Sequence, residues 1–356
     1  MNLLRFPLRT TLIAAGLVMG QGEAMSTEPA KSLSSPIVIA HRGASGERPE
    51  HTLAAYDLAI REGADVIEPD LVPTKDGHLV ARHENEISGT TDVASHPEFA
   101  DRKTTKTIDG QTETGWFTED FTLAELKTLR ARERLPQLRS TAYDGQFQIP
   151  TLEEIIALAK ARSKETGRII SIYPETKHPS YFAGIGKGTD APLIAALDKA
   201  GWRTADAPVF IQSFEVKNLQ HLKTMTGIRL IQLVAGEGGP ADNAAPTYAA
   251  MMTPEGMKQV ATYAWGIGPD KAMLWQGDAP STLVADAHAS GLRVHPWTYR
   301  AENQFVRAAF RKGTDPRAHG DVAGEIRAAL GQGIDGFFTD FPQIGVDTRN
   351  AFVRAR

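Results

Sequence analysis

Two histidines, three carboxylates and two cations sit at the ends of apolar runs, and together they point to metal-assisted chemistry on an anionic substrate. Ile37, Val38, Ile39 and Ala40 run straight into His41, Arg42 and Gly43. That pattern predicts a short buried strand delivering an imidazole and a guanidinium to a site at its C-terminal end. The stretch 64–84, ADVIEPDLVPTKDGHLVARHE, adds Glu68, Asp70 and His83. Glu68 and Asp70 are separated by one residue, so the period-two geometry of a strand points both to one face. Glu175 closes IISIYPE, and Lys177 lies two positions further on, on the same side. Three carboxylates converging from two strands form a hard oxygen site. With no thiol in the chain, Mg2+ or Ca2+ fits it better than zinc, and the residues alone do not choose between those two. An unperturbed imidazole titrates near pH 6.5, which suits His41 and His83 to proton transfer. Arg42 and Lys177 are the candidate phosphate ligands, Arg42 through its planar fork. Phe214 and Trp297 are candidates to wall the apolar side of a small organic group, with plain core packing the equal alternative. Taken singly, each of these groups is more often a rim salt bridge or core residue; the set carries the reading. His51, His78, His96, His178, His221, His288 and His319 are assigned structural roles, and His295 is open to either face of its strand.

The elements that must position this set follow from periodicity. Apolar runs at 37–40, 64–72, 168–175, 208–214, 228–234, 264–268, 292–299 and 335–340 read as eight strands. Seven helical patterns alternate with them, at 51–63, 151–165, 191–201, 215–225, 253–263, 281–291 and 321–333, with apolar spacings of three and four. Strands that are apolar throughout are buried on both faces. The alternation predicts an α/β fold, a (β/α)8 TIM barrel, with an eighth helix short over 350–356 or absent. A doubly wound open sheet is the alternative. The barrel is preferred because polar residues end nearly every run, where an open sheet would gather its site at one switch point. Residues 85–150 break the rhythm and read as a subdomain inserted after the second strand, over the barrel mouth, with one short helix at 122–133. A second irregular stretch, 235–252, follows strand five and is a candidate lid element.

Composition sets the outer bounds. The 356 residues are 41% hydrophobic and 23% charged, ordinary for a globular protein, and a net charge of −4 offers no general field for nucleic acid. The absence of cysteine excludes disulfides, zinc–thiolate sites and cysteine nucleophiles. Arg5 and Arg9 precede an apolar stretch at 11–20, and Gly22 and Ala24 have signal-peptidase spacing. This predicts a cleaved signal peptide over 1–24, a disordered spacer over 25–35, and a single barrel domain over 36–356. The expected location is therefore periplasmic or secreted. The apolar stretch is too short to span a bilayer, which takes about 20 residues, so no stable membrane insertion is expected.

These residues together resemble the glycerophosphodiester phosphodiesterases of the periplasmic bacterial type. The motifs HRGASG, PEHT, GAD with E-x-D, TKDG, PETK, GIGPD, VHPWT and FTDFP occur in family order from residue 41 to 342. The resemblance implies a TIM barrel with an insertion after strand two. It also implies metal-dependent hydrolysis of a small-molecule glycerophosphodiester to sn-glycerol 3-phosphate and an alcohol. It matches His41 and His83 to the acid–base pair, and Glu68, Asp70 and Glu175 to the metal ligands. Ca2+ is thereby favoured, with Mg2+ used by some relatives. Arg42 and Lys177 match the phosphate-contacting cations, and Trp297 the aromatic near the glycerol. Two departures are visible: Glu84 follows His83 where Asp is usual, and Gln212-Ser213-Phe214 stands where close relatives often carry a Cys. The rival readings are a phospholipase D-like lipid hydrolase and a non-catalytic glycerophosphodiester-binding protein. The first would need an apolar loop, which the charged insertion does not offer; the second would need neither both histidines nor the carboxylates. Oligomeric state, a homodimer included, is not set by the sequence.

Overall fold

The computed structural model describes residues 35–356, so the leader and spacer expected over 1–35 lie, all but Ser35, outside the described residues. From the first strand the chain alternates as its apolar pattern requires. In order it forms β1 (Ile37–His41), α1 (Leu53–Arg61), β2 (Val66–Glu68), β3 (Asp70–Pro73), β4 (Leu79–Ala81), β5 (Thr104–Ile108), β6 (Gln111–Gly115), α2 (Leu123–Leu126) and α3 (Leu152–Thr166). Then come β7 (Ser171–Ile172), β8 (Glu175–Thr176), α4 (Pro179–Gly184), α5 (Asp190–Lys199), β9 (Phe210–Ser213), α6 (Val216–Met225), β10 (Arg229–Val234), α7 (Tyr248–Met251), α8 (Pro254–Val260) and β11 (Gly266–Pro269). The last are β12 (Trp275–Gln276), β13 (Ala279–Pro280), α9 (Leu283–Ala289), β14 (Arg293–Val294), α10 (Val322–Gly331), β15 (Gly336–Thr339) and α11 (Pro342–Arg354).

Eight parallel staves close into a (β/α)8 barrel. The ring runs β15, β1, β2 with β3, β7 with β8, β9, β10, β11 and β14, and a parallel bridge between Tyr299 and Thr339 joins the last stave to the first. The second and third staves each break at a proline, Pro69 and Pro174, which has no N–H to give the ladder. Their C-terminal halves, β3 and β8, continue beyond the break and pair in parallel, Asp70 beside Glu175. The barrel interior is filled by Ile39, Val66, Tyr173, Phe210, Ile231 and Phe338, all nearly or fully buried. Each such side chain contributes roughly 1.5–3 kcal/mol on burial, so the floor beneath the mouth is rigid. His295 faces this interior: its Nδ1 lies 2.9 Å from the Tyr173 hydroxyl.

Several elements differ from the sequence expectation for identifiable reasons. The run 64–84 is a stave followed by a hairpin, because the turn at Thr74–Gly77 sends β4 back antiparallel to β3. The helix expected over 122–133 is a single turn, α2. Thr122 and Glu125 form its capping box, but the Arg130 guanidinium then takes the carbonyls of Lys127, Thr128 and Leu129 and ends the helix. The eighth helix is neither short nor absent, since α11 has 13 residues. Pro342 sits in its first turn, where a missing N–H costs nothing, and a reading that takes FTDFP as strand end hides that start.

Between β4 and α3 the chain builds an excursion around its own apolar cluster, Ile87, Val93, Phe99, Trp116, Phe121, Leu126, Leu129 and Ile149. Val72, Val80 and Phe182 join that cluster from the hairpin and α4, so the excursion is seated on the barrel. The stretch 235–252 ends in α7, whose Tyr248 packs edge-on against Phe214 with ring centroids 6.0 Å apart.

Candidate active site

Strand register alone brings the acidic residues together. His41 lies beside Glu68, Asp70 beside Glu175, and Glu175 beside Gln212. The result is a group of Glu68, Asp70 and Glu175, all buried, whose ligand oxygens lie within 4.8 Å of one another. Such crowding shifts their pKa values. Burial and the neighbouring Asp70 push Glu68 well above the usual carboxylate range. Burial, with Asp70 adding, brings Glu175 up to about 7 against the pull of Lys177. Asp70 instead stays well below its usual value, because His51 and then Arg42 outweigh the cost of burying it. His51 Nε2 lies 3.0 Å from Asp70 Oδ2, while its Nδ1 meets the Tyr56 hydroxyl at 2.8 Å. Asp70 Oδ1 is buried with no hydrogen-bond partner. An oxygen left unpaired in a charged cluster is what a hard divalent cation would satisfy.

Arg42 adopts a left-handed backbone conformation, φ 61°, and Gly43 follows at 86°. This turn aims the Arg42 amide at Glu68 Oε2, 2.8 Å away. The Arg42 side chain is already engaged, with Nη1 donating to Glu50 Oε2 at 2.9 Å and Nε lying 3.4 Å from Asp70 Oδ2. A Cβ on Gly43 would fall 2.6 Å from the backbone carbon of Ala55, so the turn packs tightly onto α1. Lys177 sits 2.9 Å from Glu175 Oε1.

The two histidines have different partners. His41 Nδ1 lies 2.6 Å from Asp340 Oδ1, and Asp340 Oδ2 also accepts from Arg139 at 2.6 Å and Arg300 at 2.9 Å. Arg300, Arg139 and His41 hold Asp340 well below the usual carboxylate range despite burial. An anionic Asp340 requires the proton on His41 Nδ1, which leaves the Nε2 lone pair free. Burial, then the charge of Arg42, lowers His41 to about 4 against the pull of Asp340, so it is neutral at pH 7. His83 follows two residues after β4, the antiparallel arm, rather than ending a barrel stave. Its Nδ1 lies 2.6 Å from Glu84 Oε1, out of line for a full hydrogen bond. Glu84 Oε2 meets His178 Nε2 at 3.2 Å, and His178 Nδ1 meets Asp109 Oδ2, at the tip of the β5–β6 hairpin, at 2.6 Å. Burial opposes charge on His178, but Asp109 and Glu84 overcome it and raise its pKa to about 9.

A cavity of about 230 Å³ opens at this mouth, lined by His41, Arg42, Glu68, His83, Arg134, Glu175, Gln212, Phe214, Leu233, Trp297, Thr298, Arg300 and Phe338. Seven of the nine residues singled out from the sequence line it. Asp70 and Lys177 stand behind the wall, against Arg42 and Glu175. No residue of 235–252 lines the cavity; that stretch braces Phe214 from outside. The sequence reading missed Asp340, Arg139, Arg134, Arg300 and Glu50. Asp340 was the most accessible of these, as a carboxylate at the end of the eighth apolar run. His51 and His178, assigned structural roles, brace Asp70 and Glu84.

A closed parallel barrel with an acidic cluster and two imidazoles at the C-terminal mouth of its staves defines a (β/α)8-barrel enzyme. A profile of the glycerophosphoryl diester phosphodiesterase family matches residues 41–344. The chain belongs to that family and is a phosphodiesterase. It is 38% identical over 334 residues to a glycerophosphodiester phosphodiesterase of Arabidopsis thaliana, covering 89% of this chain and 86% of the relative. It is 31% identical to a glycerophosphodiester phosphodiesterase of Haemophilus influenzae, covering 96% and 97%. Among solved structures, a phosphodiesterase of Oleispira antarctica in complex with the product sn-glycerol-3-phosphate matches with a TM-score of 0.60 at 22% identity, covering 89% of this chain and 97% of that one. Among the described residues no helix is long and apolar enough to cross a membrane.

Proposed function

We propose that this chain hydrolyses glycerophosphodiesters to sn-glycerol 3-phosphate and an alcohol, with His41 as general base, His83 as general acid, and a divalent cation held by Glu68, Asp70 and Glu175. One observation carries the reading: a crowded trio of carboxylates, two of which line the cavity and the third of which stands just behind its wall, faces the same cavity as two imidazoles with different partners. Family membership and the product complex of the Oleispira relative support the substrate class. The orphaned Asp70 Oδ1 and the raised Glu68 and Glu175 suit a cation that offsets their charge, with Ca2+ favoured and Mg2+ the alternative. When bound, such an ion supplies Lewis acidity and a template for phosphoryl and hydroxyl oxygens.

The chain's own groups do the rest. His41 Nε2 accepts the proton of the attacking hydroxyl, and Asp340 stabilises the imidazolium that forms; water as nucleophile gives glycerol 3-phosphate directly, whereas the substrate's 2-hydroxyl gives a cyclic phosphate that water then opens. Burial and the charges of Arg42 and Lys177 lower the pKa of His83; once protonated, it gives that proton to the departing alkoxide, with Glu84, itself anchored by His178, beside its ring. Arg42 and Lys177 offset the phosphodiester's negative charge. Phe214 and Trp297, whose rings meet edge-on at 5.8 Å, wall the glycerol carbons.

The test is release of glycerol 3-phosphate from glycerophosphocholine, -ethanolamine and -glycerol. Turnover is measured after chelation and again after restoring Ca2+ or Mg2+. Turnover that stops with the chelator and returns with the ion is expected, together with kcat losses of about 10²–10⁴-fold for His41→Ala and His83→Ala. Binding of these diesters without turnover, or full activity in chelator, would refute the reading. Location in the periplasm or outside the cell, after cleavage near Ala24, is proposed from the N-terminal pattern and is checked by sequencing the mature N-terminus.

A further inference from the structure

The cavity wall is polarised. Phe214, Leu233 and Trp297 form its apolar wall, above the Phe338 ring that the barrel floor contributes. Leu233 belongs to β10, which lies across the ring from β1. On the β1 side stand two cations that the mechanism above does not use, Arg134 from the excursion and Arg300 from the loop after β14. Each is tied to the protein through Nε alone, Arg134 to Glu50 at 3.2 Å and Arg300 to Asp340 at 2.9 Å. Among the described residues neither pair of Nη atoms makes a hydrogen bond. Arg42, by contrast, commits an Nη atom to Glu50, and Lys177 commits its ammonium to Glu175. The Arg300 guanidinium is also stacked on Phe305, 4.7 Å from the ring centre, so its fork is preorganised. Burial lowers the pKa of Arg134, and the charges of Arg42 and Arg300 lower it further against the pull of Glu50. Three guanidinium groups thus crowd one side of the mouth, where an anion would relieve their repulsion.

We propose that Arg134 and Arg300 form an anion subsite for the alcohol half of the substrate, so that the chain prefers diesters whose alcohol carries a second anionic group. This rests on the reading of the site as a glycerophosphodiester hydrolase. The glycerol half packs on the apolar wall, the scissile phosphate lies between the histidines, and the alcohol half extends toward the two free forks. A carboxylate or phosphate there accepts paired N–H donors, whereas a choline ammonium meets like charge.

The test compares kcat/KM for three diesters: glycerophosphoglycerol, the same compound carrying a terminal phosphate, and glycerophosphocholine. The phosphorylated compound should exceed glycerophosphoglycerol by about tenfold, the worth of one charge-assisted hydrogen bond. Glycerophosphocholine should be poorest, and added salt should compress the series. Arg134→Gln should bring the anionic-to-neutral ratio close to one, and Arg134→Lys should restore part of it. A native ratio near one overturns the proposal. So does an equal loss on all three diesters in Arg134→Gln, which would place that guanidinium on the scissile phosphate. If none of the diesters is hydrolysed, the hydrolase reading fails instead. Calorimetric binding of the same three compounds to the native protein and to Arg134→Gln then still reads the subsite through its anionic preference.

Discussion

Replacing Asp340 with asparagine keeps the shape of the side chain and removes its charge. The carboxylate has two faces: Oδ1 meets His41 Nδ1 at 2.6 Å, and Oδ2 meets Arg139 at 2.6 Å and Arg300 at 2.9 Å. An asparagine must put its oxygen on one face and its NH2 on the other. An NH2 facing two guanidinium groups sets donors against donors, so the oxygen takes that side. The amide N–H then points at His41, whose Nδ1 must become an acceptor. That tautomer moves the imidazole proton to Nε2 and removes the lone pair the mechanism uses. The expected loss in kcat is that of a general base, about 10²–10⁴-fold, with KM little changed because Asp340 is buried behind His41. Arg139 keeps Glu302, 2.6 Å away, so the loss of stability stays near the low end for breaking a buried pair, about 3 kcal/mol. The assay is coupled release of glycerol 3-phosphate, with a thermal melt to confirm folding. A folded Asp340→Asn protein with kcat within threefold of native would refute the tautomer argument. A defect confined to KM would do the same.

Further outcomes follow from other parts of the site. Chelation should lower the melting temperature as well as activity, and an ion restored at a hundredfold over its Kd should return about 2.7 kcal/mol of stability; an unchanged melt would argue against a bound cation. His178, raised to about 9 from an ordinary 6.5, contributes stability that is complete below pH 6.5 and lost as pH climbs through 9, at most about 3 kcal/mol. His178→Gln should therefore flatten the alkaline fall in stability and, by loosening Glu84, reduce kcat several-fold; denaturant midpoints from pH 6 to 10 check the first, and an unaltered fall rejects it. Gly43→Ala should destabilise by about 2 kcal/mol or more, since φ is 86° and the added carbon would strike α1, and a neutral result in urea unfolding would contradict that packing.

What could be read in advance divides along physical lines. The staves were legible because a strand buried on both faces is apolar at every position, and a helix with one buried face repeats every three or four. Glu68, Asp70 and Glu175 were legible because they follow such strands at spacings that register translates into proximity. Asp340 lies 299 residues from its partner His41, and no local spacing records that pairing. Arg134 and Arg139 sit in an aperiodic, charged stretch that reads as a solvated surface, yet Arg139 is only 9% exposed. Buried loop charges look like exposed ones until their partners are known. His178 was obscured in the same way, its two carboxylates lying on the hairpin tip and on the residue after His83. The one-turn α2 shows a side chain, Arg130, overriding helix propensity by taking the carbonyls that the next turn would have used.

Arg139 reaches from the excursion into the barrel mouth and there neutralises Glu302 and Asp340 at once, while also donating to the Ser45 carbonyl at 2.9 Å. Transplanting that stretch from a relative would leave two adjoining anions stranded unless the graft brought its own guanidinium. The same anchor means that the partner of His41 has its full set of counter-charges only with the excursion docked.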